Sequence, residues 1–152
     1  MEYWIIGRML RENLDVYVPL VDDFGVDAVV RKTDGTFLEI QIKARSNSVL
    51  LGDGALFAAI VHPEIRKNYF FVLYSERMDA MWILSSQELI DEAAQNKSGK
   101  NAGKRSIWLN GTKRDPASGQ RTEYAKQKFD RYFAKDFSRF RSAGALQIGP
   151  ES

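Results

Sequence analysis

Three side chains in the first third of the chain have the types and spacing to do chemistry. Asp27 lies in Gly25-Val26-Asp27-Ala28-Val29-Val30, and Gln41 and Lys43 lie in Phe37-Leu38-Glu39-Ile40-Gln41-Ile42-Lys43. Asp27 interrupts an apolar run, where a carboxylate is costly to bury unless it is paired, hydrogen-bonded or bound to a cation. A carboxylate and an amide oxygen are hard donors of the kind Mg2+ prefers. A lysine ammonium beside them is a fixed positive charge that can stabilise an anion as it develops. Together they suit metal-assisted hydrolysis of a phosphate ester.

Bringing these groups together takes two strands and a turn. Alternate side chains of a strand face opposite sides, so Leu38, Ile40 and Ile42 share one face and Glu39, Gln41 and Lys43 the other. Lys32-Thr33-Asp34-Gly35 supplies a hairpin turn between Val26–Arg31 and Phe37–Ala44, because Asp-Gly accepts the positive φ of a tight reversal. With residues 34 and 35 at its centre, paired residue numbers sum to about 69. Asp27 then falls opposite residue 42, diagonal to Gln41 and Lys43. A longer loop shifts this register by one or two. The competing reading is an ordinary half-exposed strand with a polar outer face.

A carboxylate on one strand, followed about a dozen residues later by polar-x-Lys on the next, resembles the PD-(D/E)xK nuclease superfamily. The arrangement is most similar to its Holliday junction resolvase-like branch, which begins with a helix carrying a Glu; Glu2 holds the corresponding place. The likeness covers roughly residues 1–45, and two departures stand out: Val26 precedes Asp27 where the motif has proline, and Gln41 replaces the usual acid. A Gln-x-Lys version occurs in some branches, including nucleases associated with group I introns.

The resemblance implies an α/β, restriction-endonuclease-like fold with a mixed β-sheet flanked by helices and an αβββαβ-type core. It implies Mg2+ (or Mn2+) held by Asp27, Gln41 and the Ile42 backbone carbonyl. Lys43 would assist at the phosphate, Glu2 would hold a water or a second ion, and Glu39 would compensate for the neutral Gln41. The partner would be DNA, branched or structured, cut by a homodimer. The alternative on the same fold is a nucleic-acid-binding module whose catalysis is weakened or lost because Gln41 is neutral.

Other residues offer less. Arg45 follows Lys43 on the same face and could meet a phosphate. Lys97, Lys100, Lys104 and Arg105 sit in a Gly-containing loop that could follow a nucleic-acid backbone or simply be solvated. His62, the single histidine, has no Ser or Cys pattern beside it that would make it a general base. Gly52-Asp53-Gly54 lacks the Gly-Lys-Ser/Thr ending of a phosphate loop.

The net charge of +2 hides an asymmetry: residues 1–95 carry 9 Lys+Arg against 15 Asp+Glu, and residues 96–152 carry 13 against 5. A basic segment beside an acidic one suits a polyanion and a cation together. Cysteine is absent, which removes disulfides, zinc-thiolate sites and cysteine nucleophiles. No apolar run reaches the roughly 20 residues of a membrane span. The expected setting is cytoplasmic, with no signal peptide, no membrane and one nuclease-like domain over 1–141, residues 142–152 forming a flexible tail.

The remaining pattern predicts a helix over 2–13, a short strand over 15–20 and a turn over 22–25. Strands are predicted at 69–74, 80–84 and 106–110, with 55–61 open between strand and helix. Ser85 or Ser86 caps a helix to about Ala94, with Glu88 completing a capping box. A long helix is predicted from Arg121 to Phe140, its Phe129, Tyr132, Phe133, Phe137 and Phe140 forming a core stripe.

Overall fold

The computed structural model describes residues 1–21 and 25–141. Asp22, Asp23 and Phe24 of the predicted turn, and the predicted tail, lie outside the described residues. In chain order the elements are α1 (Glu2–Arg11), β1 (Asp15–Tyr17), β2 (Ala28–Arg31), β3 (Phe37–Arg45), β4 (Leu56–Ile60), β5 (Tyr69–Ser75), β6 (Ala80–Ser85) and α2 (Ser86–Glu92). There follow β7 (Ala94–Gln95), β8 (Arg105–Trp108), β9 (Asn110–Arg114), β10 (Arg121–Ala125), and 3-10 helices at Gln127–Tyr132 and Ser138–Phe140.

The fold is α/β around a mixed sheet in the order β1-β2-β3-β5-β6. Only β3 and β5 run parallel; the other neighbours are antiparallel. The parallel crossover between β3 and β5 carries a strand, β4, where an αβββαβ order has a helix. That strand joins a second sheet, β4-β8-β7, and β9 and β10 form a separate ribbon.

Two apolar layers sandwich the mixed sheet. On one face Ile5, Ile6 and Met9 of α1 pack with Ile40 and Ile42 of β3 and with Phe137 and Phe140 near the end of the described chain. On the other, Phe57, Ile107, Leu89, Phe129 and Tyr132 pack against Phe71, Leu73 and Trp82. Covered on both sides, β5 and β6 are buried almost throughout, and their sequences read as continuous apolar runs. β3 alternates instead, with Leu38, Ile40 and Ile42 buried and the residues between them half-buried.

Local chemistry sets the element ends. The helix α1 ends at Arg11, and Asn13 just beyond it takes φ 63°. The Leu14 amide then bonds Met9 O and the Asn13 amide bonds Leu10 O, a Schellman closure. The predicted helix runs two residues past this end because Asn13 sits at the same spacing as the apolar face. At α2 the capping box forms as expected: Glu88 N donates to Ser85 Oγ at 3.2 Å and Ser85 N to Glu88 Oε2 at 2.8 Å.

The 121–140 segment departs from expectation. Arg121–Ala125 is a strand paired with β9, and the aromatic stretch forms two short 3-10 helices. Phe129, Tyr132, Phe137 and Phe140 are buried nonetheless, whereas Phe133 is exposed. The i, i+3 spacing of 129/132 and 137/140 lines up a face in a 3-10 turn as well as in an α-helix, so the burial pattern does not distinguish them. Pairing with a hairpin partner overrode helical propensity at 121–125.

Candidate functional site

The hairpin between β2 and β3 sets the register of the site. Lys32 N donates to Thr36 O at 2.8 Å, the Asp34 carboxylate accepts from Thr36 N at 2.9 Å, and Gly35 takes φ 88°. Three residues rather than two therefore make the loop, and Ala28 pairs with Ile40. The ladder is one residue away from the sum of 69 that a two-residue turn implies.

At Asp27 the ladder leaves this register. Asp27 N donates to Ile40 O at 2.8 Å, and the Asp27 carboxylate accepts the amide of Ile42 at 2.7 Å. A side chain thus takes the place of a backbone carbonyl where β2 begins. The carboxylate is fixed against β3 at the residue between Gln41 and Lys43. This is the sequence position expected for Asp27, reached by its side chain rather than by ladder pairing.

Gln41 projects from the opposite face of β3 to Ile40 and Ile42. Its Oε1 lies 3.3 Å from the Tyr69 hydroxyl, which donates a short bond to Gly25 O. One hydroxyl proton cannot satisfy both acceptors, so the Gln41 oxygen keeps acceptor capacity. Burial pushes the Tyr69 hydroxyl up to about 12, with Arg66 opposing and the charges of Asp27 and Glu39 adding to the shift. Tyr69 therefore remains a donor at any physiological pH. Gly25 is crowded: a Cβ there would meet Gln41 Nε2 at 2.9 Å, and its φ of 70° favours glycine.

Gln41 and Gly25 line a cleft of about 530 Å³ with Val61, His62, Pro63, Glu64 and Arg66. Arg66 covers the Tyr69 ring at 4.1 Å and pairs with Glu39 at 3.3 Å. His62 is buried, stacked on Tyr69 and edge-on to Phe71, with Nε2 2.6 Å from Ser86 Oγ. Burial first, then Arg66 and Arg105, pulls its imidazole down to about 4, so it is neutral at pH 7.

Of the remaining sequence candidates, Lys43 lies on β3 two residues beyond Gln41, on the same face by strand alternation. Arg45 donates through Nε to Asp53 O at 3.4 Å. Glu2 opens α1, the helix packed on the opposite face of the sheet, and is not among the residues lining the cleft. Arg105 donates through Nε to His62 O at 2.9 Å, tying β8 to the cleft wall. Because Arg105 pairs with Ile60, the exposed hairpin loop carrying Lys97, Lys100 and Lys104 starts beside the cleft rim at Val61.

Tyr69 and Arg66 are the site residues that the sequence pattern missed. Tyr69 begins an apolar strand and reads as core; only its hydroxyl, reaching a strand 28 residues earlier, makes it a site residue.

As a cation site, the cluster offers hard oxygen donors at a minimum number. Among the described residues no three His, Asp or Glu side chains converge as a metal cage. Mg2+ tolerates such a set, since it keeps several waters and is often held by one or two carboxylates plus the substrate phosphate. The donor chemistry of Asp27 and Gln41 fits that mode.

No protein-family model matches the chain, and no curated protein matches it. Among solved structures it is similar to that of a bacterial homing endonuclease, I-Ssp6803I, at 20% identity and a TM-score of 0.51. The match covers 87% of this chain and 80% of that one. At this identity the likeness is one of fold.

Proposed function

We propose that the protein is a divalent-cation-dependent nuclease hydrolysing DNA phosphodiester bonds, a Gln-x-Lys variant of the PD-(D/E)xK type. The observation that carries this reading is the bond from Ile42 N to the Asp27 carboxylate, which fixes an acid on β3 between Gln41 and Lys43. The fold shared with a homing endonuclease supports it.

Asp27 and Gln41, with the carbonyl of Ile42, would hold Mg2+ or Mn2+. Such an ion would supply Lewis acidity at the phosphate and lower the pKa of water. Asp27 contributes the formal charge, and its bond to Ile42 limits its rotation. Gln41 contributes a neutral oxygen oriented by Tyr69. Lys43 presents its ammonium to the negative charge that builds on the phosphate oxygens during in-line attack. Lys97, Lys100 and Lys104 would follow the backbone beyond the cleft. Glu2 keeps only the role its place in the resemblance suggests, and a homodimer would present two such clefts to two strands.

A second reading has its own observation. With a neutral Gln41 and no converging acidic triad among the described residues, the fold could bind nucleic acid without cutting it. Incubating the protein with a panel of nicked, branched, single-stranded and duplex DNA in Mg2+ or Mn2+ separates the two. Cleavage that EDTA abolishes and Lys43→Ala removes is the expected result. Binding without cleavage selects the second reading, and wild-type cleavage by Lys43→Ala overturns the assignment of Lys43.

A further inference from the structure

The ribbon β9–β10 stands outside both sheets, and its two halves differ. Its inner half is anchored. The Glu123 carboxylate, 3% exposed, accepts Gly54 N at 2.6 Å and Asn110 Nδ2 at 3.1 Å and pairs with Arg77. Arg77 in turn donates to the carbonyls of Asn47, Val49 and Leu50. Asn110, itself fully buried, accepts Ala55 N at 2.8 Å and donates to Gly52 O at 3.0 Å. These bonds fasten the ribbon to the 47–55 segment, which directly continues β3. A Cβ at Gly54 would lie 2.4 Å from Glu123 Oε2, so the approach requires glycine.

The outer half is exposed and basic. Arg114 and Arg121 are direct partners across the ladder, and Lys113 partners Thr122. All four are exposed. Like charges directly opposite destabilise a strand pair. Among the described residues no carboxylate forms an ion pair with any of these three cations. Asp115, which follows Arg114 in the chain, is engaged at the tip, where it accepts the amides of Ala117 and Ser118 and the Ser118 hydroxyl. The tip is thereby preformed.

A rigid, two-stranded, cationic ribbon whose charges repel one another fits a groove lined with fixed anions. The major groove of duplex DNA, roughly 12 Å wide, admits a two-stranded ribbon. We propose that β9–β10 is the groove-entering element of this protein, with Arg114, Arg121 and Lys113 meeting duplex DNA and the Glu123 network holding the ribbon at a set angle to β3. This rests on the nuclease reading above and names the element that engages its substrate.

The test is binding of a short mixed-sequence DNA duplex by fluorescence anisotropy, without divalent cation, across a salt series. The Arg114→Gln/Arg121→Gln double variant should bind at least about 10-fold more weakly, with a salt slope shallower by about 2. Arg11→Gln, the loss of one exposed positive charge on α1, should bind like wild type. The Arg114→Lys/Arg121→Lys variant should recover the salt slope, which a misfolded ribbon would not. Wild-type affinity in the Gln double variant, or failure of the Lys variant to recover, overturns the ribbon assignment and leaves the nuclease reading standing. If the wild-type protein binds no duplex yet cleaves single-stranded or branched DNA, the ribbon assignment falls and the nuclease reading survives. If it neither binds nor cuts any DNA in the panel, both fall.

Discussion

Two hairpins in this molecule carry charged side chains, and they are held in place by different forces. The β2–β3 hairpin is embedded: β3 has neighbours on both edges and an apolar layer under Ile40 and Ile42. Among the described residues the β9–β10 ribbon has no neighbouring strand beyond its own partner, and a buried ion pair and amide network fix its base. In the first, packing sets position and the polar groups are available for chemistry. In the second, polar groups set position. The same functional group, a carboxylate, therefore does opposite work: Asp27 stands on a packed frame, while Glu123 is the frame.

This contrast is sharpest for substitutions that remove a carboxylate charge. Asp27→Asn keeps an acceptor for Ile42 N, so its melting temperature should match wild type. Cleavage should fall by on the order of 10^3-fold, near the upper end of what one lost electrostatic contact costs. Full activity in Asp27→Asn would break the comparison on the catalytic side. Glu123→Ala should do the reverse. It strands the Arg77 guanidinium, Asn110 and the Gly54 amide, and denaturant unfolding should show a loss of about 3 kcal/mol, the lower end for a broken buried pair because Arg77 is partly exposed. A Glu123→Ala protein as stable as wild type would remove the network from its structural role.

A smaller effect comes from pH. His62 is held at about 4 when folded and titrates near 6.5 when unfolded. The unfolded chain therefore binds the proton first, so the stability present above pH 6.5 is lost as pH falls toward 4, by on the order of 2 to 3 kcal/mol. In His62→Phe, which keeps a ring against Tyr69, that segment of the stability–pH curve should flatten. The smallest expected change is in Tyr69→Phe, which removes the donor to Gly25 O and the hydroxyl beside Gln41 Oε1. Its stability loss should be about 1 kcal/mol. A rise in the divalent cation concentration needed for cleavage would tie Gln41 to the ion; no rise would make Tyr69 purely structural.

How much of this was legible in the chain follows the same division. The β2–β3 hairpin is local. An Asp-Gly turn and a period-2 pattern predicted its strands and put Asp27 beside Ile42, with an error of one in the ladder from the extra loop residue. The capping box is also local: Glu88 was readable from the sequence, and the cap was narrowed to Ser85 or Ser86, of which Ser85 is the one used. The ribbon was not, because its anchor joins Glu123 to Arg77 and Gly54, 46 and 69 positions away. Nothing near Glu123 marks it as buried, and the aromatic spacing that follows fits two kinds of helix. The cleft was half legible: Gln41 came from the strand, whereas His62, Arg66 and Tyr69 reach it through the crossover.

That crossover also governs how the chain must fold. The strand β4 leaves β3 for another sheet and returns to β5, so the parallel β3–β5 pairing closes a loop of about 30 residues, while β4 waits for β8 roughly 50 residues on. Such non-local pairings carry high loop-closure entropy before they are rewarded. Folding should therefore be slow for a chain of this size, with β3 pairing β2 through its short turn before it gains β5 across the longer loop, and β4 gaining β8 last.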